Sequence, residues 1–337
     1  MFKHIMRYSC EGCLPREVLI AGLLAMSFCA PVQAQGWQPM RPIELIVPGT
    51  AGGGLDRTVR AVQKMFQDEK LINYKTTVLN KSGGGGAVAQ AYLKQRTGMG
   101  EYLNMASTSL ITNSINGTSQ FRHTDFTPIA NVSSEYLVFV VKPDSPIKDV
   151  KSLLTRLQAD PNLLSFGIAT SRGNHQHVAV AAVAKAAGVE AKRAKVVVFN
   201  SSTDAITSIL GGHIDVSIST AGNVLGHVQA GRLRLLGVTS PKRLTGVIAN
   251  VPTMKEAGVN TQIDSWRGFI GPPGMTATQI AYWDQAFAAL AKSEVWKKEL
   301  EASQQMENYL NSREMKAFLD EQYAEYKEAL TELGVIQ

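Results

Sequence analysis

Six short segments of this chain concentrate the residue types that bind an anion without a metal. They are Thr50 to Asp56, Asn80 to Gly86, Ser107-Thr108-Ser109, Thr170 to His177, Asn200-Ser201-Ser202-Thr203 and Ser219 to Asn223. All are rich in Gly, Ser, Thr and Asn, all follow strand-like apolar runs, and three lead directly into a helical pattern. A helix N-terminus presents unpaired backbone N–H groups and a partial positive charge, so it attracts carboxylate or phosphate. Glycine lets the backbone come close, and hydroxyls add donors. Several such loops around one cleft make an anion receptor.

Each segment also has a plainer reading. Gly52–Gly54 and Gly83–Gly86 suit tight turns, and no Gly-Lys-Ser/Thr follows them as a phosphate loop requires. Asp56 can cap its helix as readily as touch a ligand, and Ser202 can equally be an N-cap. His175-Gln176-His177 lacks a third ligand at metal-binding spacing, and His213 and His227 read as surface residues. Enzyme signatures do not assemble: there is no Gly-x-Ser-x-Gly elbow and no His-Glu-x-x-His, and nothing selects one triad.

The elements that must position these loops alternate along the chain. Strands are expected at Ile43–Pro48, Thr76–Leu79, Tyr102–Ala106, Leu137–Val141, Ser165–Ala169, Val196–Phe199, Val216–Ser219 and Leu235–Val238. Helices are expected at Asp56–Phe66, Ala87–Arg96, Asp149–Gln158, Ala179–Gly188 and Ser202–Leu210, and the tail from Thr276 on reads as helical throughout. Leu137 to Val141 is a continuous apolar run, the pattern of a strand buried on both faces. Strand–loop–helix units argue for parallel α/β sheets, whose ligands sit at the C-terminal strand ends. The cycle restarts after Pro143-Asp144-Ser145-Pro146, which implies two lobes joined by short hinge strands.

The N-terminus has the order of a secretory signal. Lys3, Arg7 and Arg16 precede the apolar run Val18–Phe28, and Val32-Gln33-Ala34 fits a cleavage site. That run is too short for the roughly 20 residues of a membrane span. Cys10, Cys13 and Cys29 all lie inside this segment, so a chain cleaved after Ala34 has no disulfide and no thiolate site. The Cys10-x-x-Cys13 pair has no second pair to complete a metal site. Apolar content of 45% and charged content of 18% fit a globular protein rather than a disordered one. Lys3, Arg7 and Arg16 outnumber Glu11 and Glu17 by one, so cleavage lowers the net charge from +6 to +5. That mild excess suits an anionic ligand. The only basic cluster is Lys192-Arg193-Ala194-Lys195, without the aromatic-interleaved stripes of nucleic-acid binders.

At these loops the chain resembles the periplasmic solute-binding proteins of tripartite tricarboxylate transporters, the Bug family. The matching segments are Ile46-Val47-Pro48 with Gly52 to Asp56, Asn80 to Gly86, Leu210 to Val216, Ala230 to Ser240, Val251 to Gly258, and Trp266-Arg267-Gly268-Phe269-Ile270-Gly271-Pro272. They cover nearly all of the chain after Ala34, in the family's order. The resemblance implies a type II-like two-lobe α/β binding-protein fold with the ligand cleft between lobes. Residues 35–138 would form the first part of lobe 1, residues 139–250 lobe 2, and residues 251–337 the return to lobe 1. It implies contacts from Thr50, Ala51, Gly52, Gly53 and Asp56, from Ser82 and Gly84, and from Ser107, Thr108 and Ser109. In the second lobe it implies contacts from Ser171, Arg172, Asn174 and His177, and from Asn200, Ser201, Ser202 and Thr203.

The chain departs from the family pattern in three loops. Thr50-Ala51 stands where Pro-Pro is usual, Arg172 where small residues are common, and Asn200-Ser201-Ser202 where Tyr-Lys-Gly is frequent. Arg172 could pair bidentately with a ligand carboxylate or face solvent at the rim. The segments at Asp160-Pro161-Asn162 and Trp266–Phe269 look closer to the tricarboxylate-binding branch. The expectation is a monomeric periplasmic receptor, without cofactor or metal, for a di- or tricarboxylate of the citrate type. Its partner would be a membrane permease. Alternatives are an aromatic carboxylate such as terephthalate, delivery to a sensor kinase, or, from a different class, a secreted serine hydrolase.

Overall fold

The structure, a computed structural model, describes residues 36–169 and 171–336. The signal-like segment and its cysteines therefore lie outside the described residues, as does Thr170. Ten strands form one curled sheet in the order β2-β1-β3-β9-β4-β7-β5-β6, with β10 and β8 also pairing β4. Here β1 is Ile43–Val47, β2 Thr76–Asn80, β3 Tyr102–Ser107, β4 Thr127–Val141, β5 Ser165–Ala169 and β6 Lys195–Phe199. The remaining strands are β7 Val216–Thr220, β8 Arg234–Val238, β9 Asp264–Gly271 and β10 Met306–Leu310.

β4 is 15 residues long and belongs to both halves of the sheet. Its first part pairs β9 and β10, and its last part pairs β7 and β8. In the second half, Leu137, Phe139 and Val141 enter one apolar core while Tyr136, Val138 and Val140 enter the core on the other face. That two-residue alternation, buried on both sides, is what the continuous apolar run foretold. The first half of β4 is polar, yet Asn131, Ser133 and Ser134 are fully buried. Their partners come from across the sheet: Asn131 donates to the Asn308 carbonyl (2.7 Å), Ser133 to Gln305 Oε1 (2.6 Å) and Ser134 to Asp264 (2.7 Å). Buried polar groups with partners are tolerated, so a strand persists where hydrophobic periodicity gives no sign of one.

Helices pack on both faces. They are α1 Gly54–Asp68, α2 Ala87–Lys94, α3 Ser109–Ile115, α4 Val150–Ala159, α5 His175–Ala186, α6 Ser202–Leu210 and α7 Ala221–Gln229. The C-terminal part adds α8 Ala277–Lys292, α9 Glu294–Ala302 and α10 Ser312–Glu332. α1 buries Val59, Val62 and Phe66 at helical spacing against the core of the first half. Asp149 caps α4, Thr276 caps α8 and Asn311 caps α10, each through a reciprocal capping box.

Several expectations need correction. The sheet is mixed rather than parallel: β1 pairs β2 and β3 in parallel and β5 pairs β6 and β7 in parallel, but β4 and β9 run antiparallel to their neighbours. The tail is not helical throughout, because β10 interrupts it. α5 begins at His175 rather than Ala179, and α3, α7 and β9 are elements that periodicity does not reveal. β9 carries Arg267 and Gly268 in its middle, which breaks the apolar run that marks a buried strand.

Candidate ligand-binding cleft

The β1–α1 loop is built around Asp56. The N-cap of α1 is Gly53, which has no side chain to satisfy the first-turn amides. Asp56 is the third helical residue, not the cap; its Oδ2 accepts from Gly52 N–H (2.7 Å) and Arg60 Nε (2.9 Å), and its Oδ1 from Asn80 Nδ2 (2.9 Å). Burial pushes this carboxyl up, but the hydrogen bonds from Arg60, Gly52 and Asn80 outweigh it and bring it down to about 2. Thr50, Ala51 and Gly52 are exposed, with Gly52 at a φ of 76°. Asp56 thus faces inward and shapes the loop while the amides stay outward.

The β2–α2 loop packs beside it. Asn80 also donates to the Gly49 carbonyl (3.1 Å), and Gly83, Gly84, Gly85 and Gly86 all adopt positive φ. A Cβ on Gly85 would stand 2.3 Å from Asn113 Nδ2, which donates to the Gly85 carbonyl at 2.8 Å. Only glycine fits there. Ser82 and Gly84 are exposed at its rim. After β3, Ser107 and Ser109 exchange a hydrogen bond at 3.0 Å, and Thr108 is buried with its hydroxyl 3.5 Å from the Asp264 carbonyl. These three loops form one continuous cluster.

In the second half, the β5–α5 loop is braced by neutral groups. Asn174 is the N-cap of α5, accepting from His177 N–H (2.9 Å) and donating to the Ala169 carbonyl (2.5 Å). His177 Nδ1 accepts from Gly173 N–H (2.9 Å), and Gln176 Oε1 from Ala169 N–H (2.6 Å). Burial, then the Arg172 charge, pushes the His177 imidazole down to about 4. Ser171 is partly exposed, and Arg172 is exposed with Nη2 on the Val196 carbonyl of β6 (3.0 Å). Asn200–Thr203 stands apart, its side-chain hydrogen bonds among the described residues confined to α6. The cap of that helix is Ser201, accepting from Asp204 N–H (3.1 Å), and Ser202 is the first helical residue. Ser201 holds the extended backbone an N-cap needs, at φ −147° and ψ 162°.

Sequence reasoning missed the groups at the floor of the cleft. Arg267 of β9 and Glu135 of β4, both buried, form an ion pair at 2.7 Å. Arg267 Nη1 also donates to Thr58 Oγ1 (3.2 Å), and Nη2 lies 3.0 Å from where a Cβ on Gly54 would stand. Its Nε is buried without a hydrogen-bond partner among the described residues. From the other half, His175 feels this charge: burial first, then Arg267, pushes its imidazole down to about 4. A cavity of about 330 Å³ opens here, lined by Gly54 and Thr58 of α1, Glu135, Thr220 and Asn223 at the start of α7, and Gln305. Gln305 is fixed by Ser133 and by Thr58 (3.4 Å). Arg267 stood in a noted motif, Trp266-Arg267-Gly268-Phe269, and Thr220 and Asn223 in a noted loop; Glu135 and Gln305 carried no signal.

Among the described residues no group of three or more His, Cys, Asp or Glu is placed to hold a metal, and no helix is long and apolar enough to cross a membrane. Two α/β halves share the crossing strand β4, the fold of a two-lobed binding protein, and of the noted loops the cavity is lined by Gly54 and by Thr220, Gly222 and Asn223. Comparison with known proteins gives the family. Residues 59–335 match the model of the tripartite tricarboxylate transporter family receptor, and the chain belongs to that family. It is 27% identical to the UPF0065 protein in gbd 5'region of Cupriavidus necator, over 96% of this chain and 97% of that protein. It is also 27% identical to Protein BugT of Bordetella pertussis, over 73% and 74% of the two chains. A TctC solute-binding protein from Polaromonas, solved without ligand, superimposes with a TM-score of 0.73 at 29% identity, covering 88% of this chain and 99% of that one.

Proposed function

We propose that this protein is a periplasmic receptor that captures a di- or tricarboxylate of the citrate type and delivers it to a membrane permease. The observation that carries the reading is the uncapped N-terminus of α1. Its first-turn amides have no side-chain acceptor, the loop before it is exposed, and the buried Arg267 lies beneath it. Such a terminus favours a carboxylate through both its donors and its dipole. The ligand contacts are Thr50, Ala51, Gly52 and Gly53, with Ser82, Gly84 and Ser107–Ser109. Ser171 and Arg172 and the Asn200–Thr203 segment act from the facing lobe. Asp56, Asn174 and His177 act on the ligand through the loops they brace. The lobes are residues 35–138 with 251–337, and residues 139–250, and the liganded closed form is favoured because each lobe supplies contacts. Export follows from the signal-like residues 1–34.

Thermal unfolding of residues 35–337 against citrate, isocitrate, tricarballylate, short dicarboxylates and terephthalate tests the reading. A ligand at a hundredfold excess over Kd stabilises the protein by about 2.7 kcal/mol, so one aliphatic di- or tricarboxylate should raise the melting temperature clearly. A shift with terephthalate alone would move the ligand class to aromatic acids. No shift with any of them, before or after refolding from denaturant to strip retained ligand, would sink the carboxylate assignment.

A further inference from the structure

Two acidic residues line the cavity, Glu135 and Glu299, and of the two Glu135 is the buried one. The residue is 8% exposed, sits where β4 passes from one half of the sheet to the other, and lines the 330 Å³ cavity. Its Oε1 pairs with Arg267, while its Oε2 carries no hydrogen bond among the described residues. Glu135 lines the cavity and this oxygen is not among the sealed, partnerless atoms of the core, so it is open to whatever enters; an ionised carboxylate can only accept there. The same guanidinium nitrogen that meets Glu135 lies against Gly54, so the free oxygen and the uncapped α1 terminus flank one small space. Thr220, Asn223 and Gln305 on the wall can donate or accept, and Arg57, a cation of the same lining, is exposed and turned to the Gly52 carbonyl (2.8 Å), so a second carboxylate brought to the side of Glu135 meets its repulsion.

We infer that Glu135 is a specificity-determining residue whose free oxygen takes a hydrogen-bond donor on the ligand, a hydroxyl or an ammonium borne beside a carboxylate. The ligand's carboxylate lies at the α1 amides and its donor points to Glu135. The receptor therefore prefers hydroxy- or amino-substituted carboxylates over the unsubstituted acids of the same length. This rests on the carboxylate reading above and sharpens it.

Calorimetric titration of the mature protein with matched pairs tests the inference. Citrate against tricarballylate and malate against succinate differ by one hydroxyl, and aspartate against succinate by one ammonium. A hydrogen bond to a charged acceptor predicts that the donor-bearing member of at least one pair binds about tenfold tighter or more. Glu135→Gln should cut that ratio, and should cut it more for aspartate than for the hydroxy acids, since an amide oxygen still accepts from a hydroxyl but brings no charge to an ammonium. Carboxylates that bind within about twofold of each other in every pair overturn the inference and leave the receptor reading intact; an unchanged ratio in a folded Glu135→Gln also overturns it. If no carboxylate binds, both fall. The ratio is read first in the unaltered protein, so a variant that fails to fold leaves the decision with that measurement.

Discussion

The β1–α1 loop is held by a charge. Asp56, buried and ionised, gathers Gly52, Arg60 and Asn80 around it, and those donors keep its carboxyl near 2. The β5–α5 loop takes the equivalent place in the other half of the sheet and is held by neutral groups. There Asn174 and Gln176 clasp the end of β5, and a neutral imidazole on His177 accepts from Gly173. The two loops thus differ in what acid does to them. Asp56 has a folded pKa below its ordinary 3.8, so its contribution is complete above that value and is lost only as pH falls toward about 2. His175 and His177 have folded values near 4 against an ordinary 6.5. The unfolded chain takes those protons first, so their contribution is complete above about 6.5 and is lost as pH falls from 6.5 to 4. Mild acid therefore acts on the β5–α5 loop long before it reaches Asp56, which makes the second half's loop the sensitive one.

Arg267 is the group both loops feel, since it lies against Gly54 and lowers the His175 pKa. Replacing it is the strongest way to disturb the comparison. Arg267→Met leaves Glu135 buried without its cation, and breaking a buried pair typically costs about 3–5 kcal/mol. Urea unfolding at pH 7 should show a loss of that size. In the same variant the His175 imidazole, followed by NMR, should titrate above its present value, because a neighbouring positive charge has gone. A loss under about 1 kcal/mol would mean that the pair is solvated and not part of the floor of the cleft.

A smaller effect separates the two braces directly. Below pH 6.5 each neutral histidine contributes a stability slope of up to about 1.4 kcal/mol per pH unit. The unaltered protein should therefore lose stability steadily between pH 6.5 and 4. His177→Gln keeps an acceptor for Gly173 N–H and removes the titrating group, so it should reduce that slope to about half while costing little at pH 7. A slope that survives unchanged would place the acid sensitivity outside the β5–α5 loop.

The two loops were not equally legible in the sequence. The Gly52–Asp56 and Gly83–Gly86 turns stood out because positive φ and close backbone approach demand glycine, and both loops follow strongly apolar strands. The strand at Ser165–Ala169 and the helix at Ser202–Leu210 were readable to the residue, since their buried faces are made by periodicity alone. The floor of the cleft was not. Arg267, Glu135 and Ser133 occupy the middle of buried strands where apolar residues are the rule, and what makes them tolerable is a set of partners more than a hundred positions away. Arg267 meets Glu135 and Thr58, and Gln305 meets Ser133, only after the chain has returned through β9 and reached β10, two strands whose polar or half-exposed residues carry no strand signal. Pairing across such distances is a tertiary fact, and no local pattern encodes it.

The smallest predicted effect concerns Asn200–Thr203, which differs from both braced loops in having no long-range side-chain partner among the described residues. Its order rests on the cap that Ser201 provides to α6 by accepting from Asp204 N–H. Ser201→Ala removes that acceptor and should cost about 1 kcal/mol, read as a shift in the urea midpoint with the slope of the transition unchanged. Ser202→Ala touches only the first helical position and should be close to neutral in the same experiment. If the two substitutions cost the same, the helix does not begin where the backbone angles place it, and the segment must be fixed by something other than its own cap. If Ser201→Ala alone destabilises, the loop is locally ordered on its own helix. Any loss of ligand affinity in Ser202→Ala or Thr203→Ala could then be assigned to a lost contact rather than to a lost fold.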